Sequence, residues 1–211
     1  MAKVMLGWSY FENDKFETSM KIFEESVHQA TTIGDNAIIA LSIRNMGIIY
    51  YYLGNIDKAF EFEKRSLVLF KKMNNELEVA SSTFSIGLNY RDKGNYQQAI
   101  INYKQAYKLY KKFDSRLNMA RALGAIGNYY LNVGKFEESL EYNHRSLALF
   151  EEINHYRWIT YPLDNLGETL LDMKKNQEAI NHLIKAYSMR KNINLPSGHL
   201  LLSATLLELA R

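Results

Sequence analysis

The chain has 211 residues, 47% of them hydrophobic, with a formal charge of +3 and no cysteine. That charge is too small to argue for nucleic acid, the missing thiols exclude disulfides and thiolate metal sites, and no stretch nears the ~18 uninterrupted apolar residues of a membrane span. Residues 1–10 lack the charged and apolar regions of a secretory signal, so a cytoplasmic setting is expected.

Read in chain order, one pattern returns every forty residues. Gly7, Gly47, Gly87, Gly127 and Gly167 each follow a large apolar residue. Glycine costs about 1 kcal/mol relative to alanine inside a helix, so five at one period mark a slot that needs them, and such a period signals a stacked array. Three residues on stand Tyr10, Tyr50, Tyr90 and Tyr130, with Leu170 in the fifth copy. Seven residues on stand Gly54, Gly94 and Gly134, with Asp14 and Lys174 in the outer copies; there a left-handed residue can end a helix. Twelve and nineteen residues on, every copy has Ser or Ala: Ser19, Ala59, Ala99, Ser139 and Ala179, then Ser26, Ser66, Ala106, Ser146 and Ala186.

These spacings predict first helices near 1–13, 37–53, 77–93, 117–133 and 157–173. Second helices are expected near 16–32, 56–72, 96–112, 136–152 and 176–191, and a last one near 197–210. Glycine in one helix and small residues in the next allow close antiparallel packing. Polar joints such as Gly34-Asp35, Asn74-Asn75, Asp114-Ser115 and Asn154-His155 can stop one helix and cap the next. Pro162 falls inside the fifth first helix, which must then start later or bend there. Five repeats are expected, at about 1–35, 36–75, 76–115, 116–155 and 156–195, with a partial sixth over 196–211. Both ends fall inside a repeat, as in a fragment of a longer protein. The apolar run Leu200-Leu201-Leu202 to Leu209-Ala210 is a poor solvent-facing cap, which raises self-assembly through the terminal helix as one option.

The glycine slot, the tyrosine after it and the paired small residues resemble the tetratricopeptide repeat, over nearly the whole chain. The usual repeat is about 34 residues; this longer form is similar to repeats of kinesin light chains, spindle-orientation adaptors and bacterial peptide-sensing regulators. The resemblance implies an all-α, right-handed superhelical solenoid of antiparallel helix pairs, with the first helices lining a concave groove. It places on that groove Trp8 and Phe11, Arg44, Ile48 and Tyr51, Phe84, Leu88 and Arg91, Arg121 and Asn128, and Asp164 and Glu168, with Asn132 at the rim. Aromatic, aliphatic and arginine side chains in one lining are what binding hot spots favour. A protein or peptide segment is the expected partner. The family's two-carboxylate clamp is broken: Asn128 and Asn165 fill its asparagine slots, but Gly124 and Tyr161 stand where lysines belong. The spindle adaptors' recurring asparagine survives only as Asn128.

Nothing in the sequence points to catalysis, a metal or a cofactor. His28, His144, His155, His182 and His199 form no pair at helical spacing, and the glycines belong to the repeat rather than to a phosphate loop. The phosphatases that share such arrays carry their catalytic residue in a separate helical bundle, so that activity is not carried over. Lys71-Lys72 and Lys111-Lys112 fall at the ends of second helices, where cations meet the negative pole of the helix dipole. The expected function is a non-enzymatic scaffold. A second reading is the sensing region of a larger signalling protein, a kinase or a transcription regulator; the third is self-assembly.

Overall fold

The structure, a computed structural model, describes residues 1–192. Ten helices follow one another there with joints of two or three residues: α1 (Ala2–Glu12), α2 (Phe16–Ile33), α3 (Asn36–Tyr52), α4 (Ile56–Lys72), α5 (Glu76–Asp92), α6 (Tyr96–Lys112), α7 (Arg116–Asn132), α8 (Phe136–Glu152), α9 (Tyr156–Asp172) and α10 (Asn176–Asn192). Each bound lies within one residue of the expectation, and α3, α5, α7 and α9 begin forty residues apart. The helix expected near 197–210 and its apolar face lie outside the described residues. α9 starts at Tyr156 and runs through Pro162, so of the two options left open for that proline, a later start is excluded. The ring leaves the Trp158 carbonyl without its intrahelical donor.

The chain reverses by one device. Left-handed backbone recurs every twenty residues, at Asp14, Gly34, Gly54, Asn74, Gly94, Asp114, Gly134, Asn154 and Lys174, with φ between 46° and 75°. Around Gly54 the amide of Asn55 donates to the Tyr50 carbonyl at 2.9 Å and that of Gly54 to Tyr51 at 3.0 Å. These bonds satisfy carbonyls that the helix end would otherwise leave open. The same closure at Gly94 gives 2.8 Å from Asn95 to Tyr90, so the recurring tyrosine marks the residue whose carbonyl closes the turn. The expected caps form in part. Asp35 accepts from the amides of Ala37 and Ile38, and Asn75 from that of Glu78, whereas Ser115 and His155 make no side-chain cap bond.

By their contacts the residues form two compact units, Met1–Leu109 and Tyr110 onward. In the first, Val4, Phe23, Met46 and Ile49 make a core against which Phe11, Phe16, Leu41 and Phe62 pack. In the second, Leu147, Phe150, Ile159, Leu163 and Leu166 play that part. All ten Ser and Ala positions are buried, none above 3% exposed. The period-forty glycines let the second helix of the same copy approach closely. A Cβ on Gly87 would lie 2.7 Å from the Tyr103 ring, and one on Gly127 2.4 Å from the Asn143 side chain. At Gly47 the nearest side-chain atom, Phe62 Cβ, is 3.2 Å away. Sixteen residues after each glycine stands a buried side chain, in order Phe23, Glu63, Tyr103, Asn143 and Leu183. Glu63 is the one acid among them.

Candidate binding site

In the first unit, α3 and α5 carry a half-buried stripe of the expected residues: Arg44, Ile48 and Tyr51, then Leu88 and Arg91. Helical spacing of three and four residues puts each set on one face. Cross-helix bonds join the stripes. Arg91 Nη2 donates to Tyr51 Oη at 2.9 Å, and its Nε to Asp92 at 2.7 Å. Burial, opposed by the Arg91 charge, pushes the Tyr51 hydroxyl up to about 12. Arg44 is ion-paired with Glu78 and lies 5.6 Å over the Phe70 ring. Trp8 stacks on Phe11 at 4.8 Å, and Phe11 meets Tyr52 edge-on at 5.1 Å. Phe84 sits apart from this surface. It is only 6% exposed and packs on Tyr103 at 5.5 Å, so it backs the stripe instead of facing a partner.

Behind the stripe lies Glu63, 1% exposed, with no hydrogen bond of normal geometry to either carboxylate oxygen. Burial pushes its carboxyl up to about 8, and the Arg44 charge and the Ser85 and Ser82 hydroxyls oppose this only in part. The group is therefore a neutral acid at pH 7, the cheaper form for an enclosed carboxyl.

In the second unit the lining is richer in amides and acids. Asn128 Nδ2 donates to Asn165 Oδ1 at 3.3 Å, and Asn165 Nδ2 to Asn143 Oδ1 at 3.0 Å. Asn132 Nδ2 donates to the Asn128 carbonyl at 2.7 Å and to its Oδ1 at 3.1 Å. A chain of side-chain amides thus runs from the buried Asn143 to the exposed Asn132. Arg121 lies 5.0 Å over the Trp158 ring. Asp164 accepts from both terminal nitrogens of Arg190, and the two side chains are 15% and 13% exposed. Glu168 is half-buried, and its carboxyl is raised by burial and then by the Asp172 charge.

The arrangement brings Tyr51 and Arg91 together in one unit, and Asn128, Asn132 and Asn165 in the other. It offers half-buried rings, aliphatic surface and amides, which suit the side chains and backbone of another polypeptide. Sequence reasoning missed Glu78 and Arg190, the internal partners of Arg44 and Asp164, because such pairs are set by packing across helices. It also missed the contact of His144 and His182, whose rings lie 6.0 Å apart. Glu63 had a findable signal, as the one acid in a slot that elsewhere holds Phe, Tyr, Asn and Leu. Among the described residues no group of three or more His, Cys, Asp or Glu could hold a metal ion, and no helix is long and apolar enough to cross a membrane.

Antiparallel helix pairs repeated at fixed spacing, with a half-buried stripe on α3, α5, α7 and α9, define a helical-repeat protein. Tetratricopeptide-repeat family models match residues 118–192 and 80–113. The chain belongs to the tetratricopeptide-repeat family. Comparison with curated protein sequences gives no match. Among solved structures, BtubC (BKLC) from P. vanneervenii is similar with a TM-score of 0.74 at 17% identity, over 91% of this chain and 80% of that one. The apo form of RapI gives 0.78 at 15% identity, over 99% and 82%. A Rap protein complexed with competence and sporulation factor gives 0.81 at 16% identity, over 98% of this chain and 63% of that one. At such identities the likeness concerns the fold, an all-α helical solenoid.

Proposed function

We propose that this protein is a non-enzymatic scaffold that binds a protein or peptide segment along its first-helix stripes. The observation that carries this is the half-buried lining itself: Ile48, Tyr51, Leu88 and Arg91 in one unit, Asn128 and Glu168 in the other, with the exposed Asn132 beside them. Aromatic and aliphatic side chains beside arginine supply binding energy, and amides match backbone groups of an extended or helical segment. Two charges of the lining are held within the fold, Asp164 by Arg190 and Arg44 by Glu78, which favours recognition over catalysis. The cysteine-free sequence suits a cytoplasmic setting. The test is to capture partners from host lysate by cross-linking and identify the bound segment. The variant Ile48→Glu with Leu88→Glu should lose it, and retention at full yield would overturn the proposal.

A second reading, that the array is the sensing part of a larger signalling protein, is favoured by the company it keeps. One similar structure is a signal-transduction ATPase with a tetratricopeptide-repeat sensor from Pyrococcus horikoshii, of which this chain spans 32%. Another holds a Rap protein complexed with competence and sporulation factor. Sequencing the gene beyond both ends for an effector segment tests this reading.

A further inference from the structure

In the second unit a buried network sets which way each amide of the lining points. Asn143 of α8 is 0% exposed and Asn165 of α9 3%. A carbonyl only accepts and a side-chain NH2 only donates, so three backbone carbonyls fix the sense of the whole chain. Asn143 Nδ2 donates to the Ser139 carbonyl at 2.9 Å, which turns its Oδ1 to Asn165. Asn165 Nδ2 donates to that oxygen at 3.0 Å and to the Gly124 carbonyl at 3.4 Å. Its own Oδ1 is then left to accept from Asn128 Nδ2 at 3.3 Å. At the outer end Asn132 Nδ2 donates to the Asn128 carbonyl at 2.7 Å and to Asn128 Oδ1 at 3.1 Å. The hydroxyls agree with this sense. Thr169 donates to the Asn165 carbonyl at 2.6 Å, so it accepts in its 2.8 Å bond with Ser139, whose oxygen accepts from Asn143 Nδ2 at 3.2 Å. The slot of Asn143 holds Phe23, Glu63, Tyr103 and Leu183 in the other copies, so the device belongs to the fourth copy alone.

We propose that Asn143 is a positioning residue for partner binding: touching no partner itself, it locks the amide chain so that Asn128 offers a donor and Asn132 an acceptor to the main chain of a bound polypeptide. This rests on the reading of the stripes as a surface for such a segment. The second hydrogen of Asn128 Nδ2 and the Asn132 Oδ1 are the groups the network leaves over, one turn apart on α7. The segment therefore sets a carbonyl at Asn128 and an N–H at Asn132. A bare carboxylate, which has no N–H, meets only half of this pattern. Amides fixed before the partner arrives need no ordering on binding.

The experiment uses the full chain, 15N-labelled, and an acetylated tetra-alanine amide as the probe. Its titration should shift the side-chain amide signals of Asn128 and Asn132 saturably, and the same peptide N-methylated at its amides should not. Asn143→Leu is a shape the repeat accepts, since Leu183 fills that slot 2.5 Å from a Cβ on Gly167. This variant should keep a cooperative melt, weaken the probe at least about fivefold and lose the discrimination against N-methylation. In the free variant the Asn165 side-chain amide should exchange at least about tenfold faster. Asn165→Ala cuts the same chain at another link, where the preceding copy has Ala125, and should lose the same discrimination. Unchanged exchange and discrimination in both variants overturn the positioning role and leave the scaffold reading standing. No saturable shift in the unaltered protein overturns the main-chain subsite, whereas the scaffold reading is judged separately by capture from lysate.

Discussion

Arg91 donates to the hydroxyl of Tyr51 at 2.9 Å across forty residues of sequence, and the two occupy the same position of successive repeats. The lining is therefore stitched to itself as well as laid out side by side. Replacing Arg91 by lysine keeps the charge but loses the planar fork. Partner binding should weaken about three- to tenfold while the fold survives, since the Arg91 side chain is 28% exposed. Binding isotherms of the two proteins with the captured segment decide this.

The buried carboxyl of Glu63 makes stability depend on pH in an unusual direction. Its ordinary value in an unfolded chain is about 4.3, and in the fold it is about 8. The folded state holds the extra proton between those values. The stabilisation is complete below the lower one and is lost as pH rises through the upper one, by at most about 1.4 kcal/mol per pH unit. Glu63→Gln should flatten this dependence and be the more stable form at pH 9. Melting temperatures of both proteins from pH 5 to 9 give the comparison, and parallel curves would refute it.

Gly87 and Gly47 occupy the same slot but leave different room. Alanine ordinarily gains about 1 kcal/mol over glycine in a helix. At Gly87 its Cβ would press on Tyr103 at 2.7 Å, so Gly87→Ala should cost about 1–3 kcal/mol. Gly47→Ala, with its nearest side-chain atom at 3.2 Å, should be close to neutral. Chemical denaturation of the two variants separates them, and an equal effect would refute the close-approach role.

Lys174 holds a left-handed backbone, φ 59°, at the position where Gly54, Gly94 and Gly134 stand in inner copies. A side chain there costs about 1 kcal/mol. Lys174→Gly should accordingly raise the melting temperature, and a fall would show that the lysine side chain earns its place.

The Asp164 and Arg190 pair is two-pronged and mostly enclosed. Asp164→Ala strands the guanidinium and should cost roughly 3 kcal/mol, whereas Asp164→Leu with Arg190→Met should recover most of that loss. Denaturation of the single and double variants measures the coupling.

The sequence was legible wherever the period spoke. The glycine slot, the small residues at Ser19 or Ala59 and the turn at Gly54 depend on backbone closeness that only certain residue types allow, so they repeat visibly. What the period could not show is how non-repeating side chains pair across a seam. Phe84 was expected on the surface from its register, yet its ring turns to Tyr103. Arg44 and Asp164 were expected on the groove, yet each is paired with a residue 34 or 26 positions away. Those choices follow from side-chain reach and packing, which leave no periodic trace.

The twenty-residue rhythm of reversals bears on how the protein responds to force. Such ties between helices as Arg44 to Glu78, Tyr51 to Arg91 and Gly124 to Asn165 join near neighbours in sequence, 34, 40 and 41 residues apart. Tension applied at the two ends should peel helices away a few at a time, each step releasing a similar length of chain. Such a molecule would behave as a graded spring in an optical trap, refolding hairpin by hairpin as the load is relaxed.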